Sequence, residues 1–494
     1  MVPSPDSRRR EAPLPAVIPD TPVQLLSWIR DAGVEMVNLR VTDLNGLTRQ
    51  LSFPPSAVDE ELLTAGTGAG MSNYPGYRTI EASDMRMVPD LPTAFLDPST
   101  ETKTLDILCT IRNADGSEFS RCPRSILRRA VERLSAVAGK GRLMVLPELE
   151  FYVFDDVRYA SAQDRQTVVI DAEEASWNSD SDEWGPNSGY HLGRAVGQHA
   201  APPRDHLYEL RADIVWALGQ CGVPVKYHHH ELGGPGQVEI EFRFEQALLA
   251  GDHIQISKDV IKSVALSHGK TATFMPKPLH DEAGNGMHFH LYLKEGDRSL
   301  FYEEGTYASL SEPALYAIGG LLQHTPAMMA ICNPSTNSFR RFAPGLAAPV
   351  HLFFGLANRS AALRIPAYGI SPTAQRIEYR MADPIGNPYL TLATVIAAMA
   401  DGIEKRMRPK ELGFGPFDVN VYTLPEAEQV AMKQAPTSLQ LALEALREDH
   451  DFLTATGIVD EAFVDDWVDL KMRNEVGPMA VRPHPYEFAL YYDR

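Results

Sequence analysis

Ionisable residues recur two positions apart within four otherwise apolar segments of the chain. The four pairs are Glu148 and Glu150, Glu239 and Glu241, His288 and His290, and Glu378 and Arg380. Side chains two residues apart on a β-strand point to the same face of a sheet, so each pair shares a face if its segment is a strand. A solvated sheet face explains any one such strand, but that face usually carries Lys, Thr, Ser and Gln. Four strands with acidic and imidazole side chains instead predict a cation site.

Several carboxylates that face one space repel one another, and a divalent cation removes that cost. Oxygen ligands with an occasional imidazole suit Mg²⁺ or Mn²⁺ better than Zn²⁺. Glu231 follows three consecutive histidines and leads into the segment that carries Glu239, so we predict that Glu231 is a further ligand. A surface cluster is the alternative explanation of the three histidines.

Two further features suit an anionic substrate. Residues 277–286 form a glycine-bearing loop, in which backbone N–H groups can approach an anion closely, although a plain turn explains such a loop equally well. A group of arginines follows the loop: Arg340, Arg341, Arg359, Arg364, Arg376 and Arg380. Arg364 lies among apolar neighbours, and a buried guanidinium needs an anion. Metal ligands, a glycine loop and convergent arginines together are typical of phosphoryl transfer.

The elements that must position these residues divide the chain into two parts. Apolar spacing predicts a helix over residues 23–32, and alternation predicts strands over 35–43, 47–53 and 105–112, the first two joined by an Asn-Gly turn. A long helix over 126–138 follows a proline. We therefore predict an α+β protein with a disordered tail over 1–22, a small domain over 23–120 and a larger domain over 121–494.

Composition excludes some classes of partner. The net charge is -19, which disfavours nucleic acid because phosphate binding needs clustered Lys and Arg. We expect no membrane association, because no run of about 18 apolar residues occurs. The chain has four cysteines and none of them form a CxxC pair, so we expect a reducing, cytoplasmic location.

The chain resembles the glutamine synthetase family in a series of motifs that runs from about residue 23 to the C-terminus. The motifs are PELEF, HHELGGPGQVE, KPLHDEAGNGMHFH, NPSTNSFRRFAPG, NRSAALRIP and RIEYRMADPIGNPYL. The resemblance implies a small β-grasp N-terminal domain and a large catalytic domain with a curved antiparallel sheet and flanking helices. It also implies a homo-oligomer, often a dodecamer of two stacked rings, with active sites between neighbouring subunits.

The resemblance implies a metal-dependent reaction of glutamate, ATP and an amine through γ-glutamyl phosphate. Two or more Mg²⁺ or Mn²⁺ ions per site are implied. The ligands of the first metal would be Glu150, Glu231 and Glu239. Those of the second would be Glu148, His288 and Glu378.

The resemblance also assigns the substrate contacts. The glutamate-binding residues would be Gly284, Arg341 and Arg380, and the two arginines count with Arg359 as catalytic. Arg359 would stabilise the transferring phosphoryl group. The ATP-binding residues would be His290, Arg364 and Arg376.

Two positions depart from the family pattern. Ala347 stands where the family has a flap glutamate that takes a proton from ammonium, and Gly70 stands where it has an aspartate that attracts ammonium. Small residues here open space, and with Met71, Tyr74 and Leu346 they predict an apolar amine pocket. The leading prediction is therefore a ligase for an alkyl or aryl amine, less favourably a polyamine, in the γ-glutamylanilide or γ-glutamylpolyamine synthetase branch.

Two alternatives to an amine ligase remain open at this point. One is a glutamine synthetase that uses ammonia and has replaced its ammonium site. The other is a non-catalytic family member with a structural role, against which the retained metal ligands and arginines argue.

Overall fold

The structure, a computed structural model, describes residues 17–139, 141–183, 186–342 and 348–494. The helices of its N-terminal part are α1 (Pro22–Asp31) and α2 (Glu60–Ala65). The strands are β1 (Met36–Thr42), β2 (Thr48–Phe53), β3 (Thr67–Gly70), β4 (Asp84–Pro89), β5 (Phe95–Leu96) and β6 (Thr104–Asn113). They form a sheet of order β2-β1-β6-β4-β3, with β5 beside β6. β1 is antiparallel to β2 and parallel to β6, as in a β-grasp sheet.

The β1–β2 hairpin turns at the predicted Asn-Gly dipeptide. The Asp43 carboxylate accepts hydrogen bonds from the backbone N–H groups of Asn45 and Leu47, each at 3.0 Å. Gly46 has a φ of 82°, which favours glycine. The turn also contacts the larger part of the chain, because Asn387 Nδ2 donates to the Asp43 carbonyl oxygen at 2.7 Å. The hairpin therefore fixes the small domain against the large one.

A second sheet forms the centre of the larger part. Strands β8 (Asp156–Ser161) and β9 (Gln166–Asp171) form a separate hairpin. The strands of the second sheet are β7 (Arg142–Phe154), β10 (Val225–His230), β11 (Gln237–Phe242), β12 (Glu245–Gln246), β13 (Thr271–Thr273), β14 (Met287–Glu295), β15 (Arg298–Ser299), β16 (Phe354–Leu356), β17 (Leu363–Ile365) and β18 (Ile377–Tyr379). The order is β10-β11-β7-β14-β18-β17-β16. These neighbours are antiparallel except for the parallel pair β16–β17 at one edge.

The larger part also contains helices, some of which pack against this sheet. They are α3 (Pro123–Ala138), α4 (Tyr208–Gln220), α5 (Ala247–Ser267), α6 (Glu312–Cys332), α7 (Pro388–Glu404), α8 (Glu426–Ala431), α9 (Leu439–Glu448), α10 (Asp451–Thr454), α11 (Glu461–Lys471), α12 (Gly477–Ala480) and α13 (Pro485–Tyr491). Leu149, Ile240 and Phe289, which alternate in sequence with the ionisable residues, are fully buried in the core. The opposite face is left for the ionisable residues. The predicted α+β fold, with a β-grasp domain and a larger sheet-and-helix domain, is confirmed.

Helix α1 begins at the end of the predicted tail, of which residues 1–16 lie outside the described part of the chain. Within the described ranges, no helix is both long and apolar enough to cross a lipid bilayer. All four cysteines are buried as free thiols.

Candidate active site

Strand register brings the ionisable pairs together on one face. Glu239 on β11 lies opposite Glu150 on β7, and Glu241 lies opposite Glu148. Glu148 also lies opposite His288 on its other side. The row continues across the next strands, where His290 faces Glu378 and Glu378 faces Arg364. The sheet thus aligns, across five neighbouring strands, residues far apart in sequence.

The row opens into a cavity of about 270 Å³. Its lining includes Glu148, Glu150, Glu231, Glu239, Gly284, His288, Arg341, Arg359, Arg364, Glu378 and Arg380. These residues come from strands on both sides of β7 and from the loops that the sequence analysis identified. Two of the predicted glutamate, metal and nucleotide residues, His290 and Arg376, do not line the cavity.

The first acidic cluster comprises Glu150, Glu231 and Glu239, whose potential ligand atoms all lie within 4.8 Å of one another. Burial and then the charge of Glu239 raise the pKa of Glu231 to about 7. Burial, followed by the charges of nearby carboxylates, raises the pKa of Glu239 well above its ordinary value. Burial also raises the pKa of Glu150. Because three buried carboxylates in such proximity resist ionisation, this donor set suits a hard divalent cation.

The second cluster differs in one member from the prediction. Glu148, His290 and Glu378 offer ligand atoms within 4.8 Å of one another, whereas His288 is not in that group. Both imidazoles contact Glu148, His288 through Nδ1 at 2.9 Å and His290 through Nε2 at 2.8 Å. Burial opposes the ionisation of Glu148, but His290 and His288 outweigh it and hold its pKa well below the ordinary value. His290 is therefore a further candidate ligand, and the assignment of His288 to the metal and His290 to ATP stays a prediction.

Two arginines contact Glu378, a member of the second cluster. Arg364 and Arg380 each donate to a different oxygen of Glu378. Burial opposes the charge on Glu378, but Arg380 and then His290 lower its pKa to about 2. Both guanidinium groups keep a buried Nε that has no hydrogen-bond partner among the described residues. These two Nε–H groups can therefore donate hydrogen bonds to a further acceptor.

Arg341 is the most deeply placed cation in the lining. Its side chain is 2% exposed, and its guanidinium donates to the carbonyl oxygens of Met381 and Arg380, each at 3.0 Å. Burial lowers its pKa. The carboxylates of Glu150 and Asp383 act on this charge, but neither accepts a hydrogen bond from Arg341 within the described residues, so a carboxylate ligand would pair with it.

The loop over residues 277–286 requires glycine where it passes Arg341. A side chain on Gly284 would place its Cβ 2.6 Å from the Pro276 carbonyl oxygen and 2.8 Å from Arg341 Cγ. One on Gly286 would lie 2.6 Å from His288 Nε2. The loop backbone thus approaches the predicted glutamate-binding arginine closely, as its sequence indicated.

Of the remaining two predicted arginines, Arg359 lies in the cavity lining and Arg376 does not. Arg359 is exposed in the lining, in the loop after β16. Arg376 donates to His290 Nδ1 at 3.3 Å and lies over the Tyr368 ring at 5.2 Å. Tyr368 is 70% exposed and also lies 5.6 Å from the Arg364 guanidinium. This region presents an aromatic face and cations to the cavity.

Three residues of the predicted amine pocket lie in the described part of the chain, away from the cavity lining. Gly70 ends β3, and neither Gly70, Met71 nor Tyr74 lines the cavity. The side chain of Met71 is fully buried in the core, and its place in an amine pocket stays a prediction. Tyr74 packs on Tyr77 and on Arg49. The other two pocket residues, Leu346 and Ala347, lie outside the described residues.

Sequence reasoning missed two histidines of the cavity. His229 lies opposite Glu239 across β10 and β11, with its Nε2 3.7 Å from the Glu239 carboxylate. His199 also lines the cavity, and its ring meets that of His229 edge to face at 4.7 Å between centroids. Period-two alternation with Glu231 would have placed His229 on the ionisable face. No local signal marks His199, since its segment is irregular.

A β-grasp domain joined to a sheet whose ionisable face lines a cavity defines a class of metal-dependent ligases. Residues 33–114 match the family model described as glutamine synthetase, beta-Grasp domain, and residues 120–491 match that of its catalytic domain. The chain therefore belongs to the glutamine synthetase family. Enzymes of this family are ligases that use glutamate, ATP and Mg²⁺ or Mn²⁺.

Relatives and solved structures extend over nearly the whole chain. A protein of Nostoc sp. named glutamine synthetase is 41% identical over 476 residues, which cover 96% of this chain and 99% of that protein. A glutamine synthetase of Streptomyces coelicolor is 40% identical, covering 94% and 98%. Plasmodium falciparum glutamine synthetase, solved by cryo-electron microscopy, has a TM-score of 0.86 at 26% identity over 97% and 100%. A structure titled apo GmaS without ligand has a TM-score of 0.77 at 26% identity over 95% and 99%.

These relatives correct the predicted substrate. The leading prediction was an amine larger than ammonia, because small residues occupy positions 70 and 347. Full-length relatives near 40% identity are named glutamine synthetase, so that prediction is wrong and ammonia is the favoured nucleophile. Two small residues are a weak guide to a substrate when one lies outside the cavity and the other outside the described residues.

Proposed function

We propose that the protein synthesises glutamine from glutamate and ammonia with the conversion of ATP to ADP. The observation that carries the proposal is one cavity that combines two clusters of potential metal ligands with four arginines. Full-length similarity to proteins named glutamine synthetase supports the choice of ammonia. The retained ligands and arginines favour a catalyst over a purely structural family member.

The donor chemistry fits divalent cations of the hard type. Glu150, Glu231 and Glu239 would hold the first ion, and the raised pKa values of Glu231 and Glu239 record the cost of leaving this cluster without a cation. Glu148 and Glu378 would hold the second ion, with an imidazole as third ligand. When bound, the ions would neutralise phosphate charge and draw negatively charged substrates together.

Glutamate would bind at the deep end of the cavity. Arg341 has no carboxylate among its hydrogen-bond partners in the described residues, and it adjoins the close-packed backbone at Gly284. A guanidinium fork pairs well with a carboxylate, so Arg341 and Arg380 would clamp the amino-acid end of the substrate. ATP would enter at the other end, near Arg364, Arg376 and His290.

The reaction would then proceed in two displacements. The γ-carboxylate of glutamate attacks the γ-phosphorus of ATP, which forms γ-glutamyl phosphate and releases ADP. Ammonia attacks the γ-carbonyl carbon, which forms the amide and releases phosphate. Arg359 is an exposed residue of the lining, and its guanidinium would meet the charge that spreads over the transferring phosphoryl group.

The chain would act as a homo-oligomer, for which a dodecamer of two stacked rings remains our proposal. Helix α13 exposes Tyr486, Phe488 and Tyr491 at 63%, 56% and 57%. Exposed aromatic clusters of this kind are typical of association surfaces. Four buried free thiols suit a reducing compartment, so we propose a cytoplasmic location.

Isotope-labelled ammonium tests the proposed reaction. Purified protein with ATP, Mg²⁺, glutamate and labelled ammonium should form labelled glutamine, ADP and phosphate in equal amounts. Omission of glutamate, ammonium or Mg²⁺ should abolish glutamine formation. Steady ATP turnover without any amide product would contradict the proposal.

A further inference from the structure

Ammonia is present mainly as ammonium near neutral pH, so the proposed reaction requires a group that accepts a proton. The nitrogen lone pair attacks only after that proton is lost. The carboxylates of the described cavity lining are Glu148, Glu150, Glu231, Glu239 and Glu378, and all of them belong to the two acidic clusters. With the proposed ions bound, each would be committed to a cation or an arginine, which would make it a poor proton acceptor.

Three imidazoles remain in the described lining, and two of them are engaged. His288 contacts Glu148 at 2.9 Å. His229 is held by the His230 carbonyl oxygen at its Nδ1, at 3.0 Å, and faces Glu239 with its Nε2. Neither ring nitrogen of His199 has a hydrogen-bond partner within the ranges that the structure describes. His199 is thus the lining imidazole that is free to accept a proton.

We propose that His199 is a catalytic residue, the proton acceptor that converts ammonium to ammonia next to the γ-glutamyl phosphate. The inference rests on the proposed function and adds a residue to it. His199 lines the cavity opening beside His229 and close to Arg359, where the phosphoryl group would be transferred. An imidazole at this point meets both the solvent that supplies ammonium and the reacting acyl group.

The backbone at His199 is held in an unusual conformation. Its φ is 56°, in the left-handed region that few residues other than glycine adopt. The His199 N–H donates to the His230 carbonyl oxygen at 2.9 Å, which anchors this conformation to the end of β10. Residues held this way concentrate at functional sites, because the surrounding structure must support them.

Electrostatics favour the neutral imidazole that a base requires. Burial, His229 and Arg359 lower the pKa of His199 below its ordinary value. The charged groups that act on it are His229 on β10 and Arg359, and Tyr227 and Glu231 share the cavity lining with it. A lowered pKa leaves the ring unprotonated at neutral pH and ready to accept a proton.

The step balances as follows. An unprotonated nitrogen of His199 takes one proton from ammonium and later releases it to solvent. The ammonia lone pair forms the C–N bond at the γ-carbonyl carbon, and the C–O bond to phosphate breaks. A second proton passes from the attacking nitrogen to the departing phosphate, which leaves as hydrogen phosphate.

The variant His199→Asn tests this assignment, because asparagine also tolerates a left-handed backbone. We expect kcat with saturating ammonium near pH 7 to fall about 100-fold or more. Hydroxylamine, which is largely uncharged at that pH, should react nearly as fast in the variant as in the wild-type protein. The ammonium defect should also shrink as pH rises and free ammonia increases. His268→Asn is the matched control, because His268 is a partly exposed histidine outside the cavity lining.

Two results would overturn the inference. Full ammonium activity in His199→Asn would assign the proton to another group, such as His229. An equal loss with ammonium and hydroxylamine at every pH would indicate a positioning role. A wild-type protein that makes no glutamine from ammonium would instead refute the proposed function itself, so the two failures are distinguishable.

Discussion

The substitution Glu239→Gln separates the electrostatic cost of the acidic cluster from metal binding. Potential ligand atoms of Glu239, Glu150 and Glu231 lie within 4.8 Å of one another. Two unit charges at that distance repel by about 3–4 kcal/mol at an effective dielectric constant of about 20. Without a cation this repulsion therefore favours the protonated form of Glu239, in line with its raised pKa. Glutamine matches a protonated carboxyl in size and charge, so the metal-free variant should lie within about 1 kcal/mol of the wild-type stability.

The same substitution should remove most of the stabilisation by metal. A cation at 100 times its Kd stabilises the wild-type protein by about 2.7 kcal/mol, and a ligand loss that weakens binding about 100-fold leaves about 0.4 kcal/mol. The unfolding entropy of about 2.1 cal/mol/K per residue, applied to 494 residues, converts these energies to Tm shifts. We expect about 2–3 °C for the wild-type protein and less than about 0.5 °C for the variant.

Thermal unfolding with excess chelator and with added Mg²⁺ or Mn²⁺ measures both effects. Glu295→Gln, at the exposed end of β14, is the matched control and should keep the full metal shift. A variant with the wild-type metal shift would remove Glu239 from the metal site. A metal-free variant destabilised by several kcal/mol would refute the argument that the carboxyl is protonated.

Three other predictions concern catalysis, substrate binding and stability. Arg359→Lys should lower kcat about 10²–10³-fold with little change in KM for ATP, because an ammonium group cannot reproduce a planar fork; a rise in KM alone would contradict this role. Gly284→Ala should weaken glutamate binding more than ATP binding in separate titrations, since the added Cβ would lie 2.8 Å from the adjacent arginine side chain. His324 contacts Asp401 at 2.9 Å and Asp449 at 2.8 Å, and although burial opposes its charge, these bonds raise its pKa above 6.5. The stabilisation by protonated His324 is full below a pH of about 6.5 and is lost as pH rises through the folded-state pKa. The free energy of unfolding in urea, measured relative to His324→Gln, should therefore fall from pH 6 to 9. A difference that stays constant over this range would contradict the prediction.

Local patterns predicted the strands of the site well, because alternation is a property of neighbouring residues. The segments with Glu148 and Glu239 are strands as expected, although β7 starts at Arg142, before the segment in which Glu148 was recognised. The hairpin turn at Gly46 was likewise readable, since its conformation depends on the dipeptide itself. The predictions that held are those in which the determining contacts lie close in sequence.

Features that depend on distant contacts could not be predicted from local patterns. His288 and His290 share a face, yet their distances to Glu378 depend on how β14 pairs with β18, which no local pattern gives. Met71 reads as a candidate pocket residue, but the packing of the small domain buries it completely. His199 reaches the cavity through an irregular segment anchored to β10. Tertiary packing decides all of these positions.

Specificity for the nucleophile tests the central claim most directly. The measurement is kcat/KM for ammonium, an alkylamine, an aromatic amine and a polyamine, each with saturating glutamate, ATP and Mg²⁺, and with the product identified by mass spectrometry. The account predicts the highest kcat/KM for ammonium and glutamine as its product. A higher kcat/KM for any of the three larger amines would contradict it.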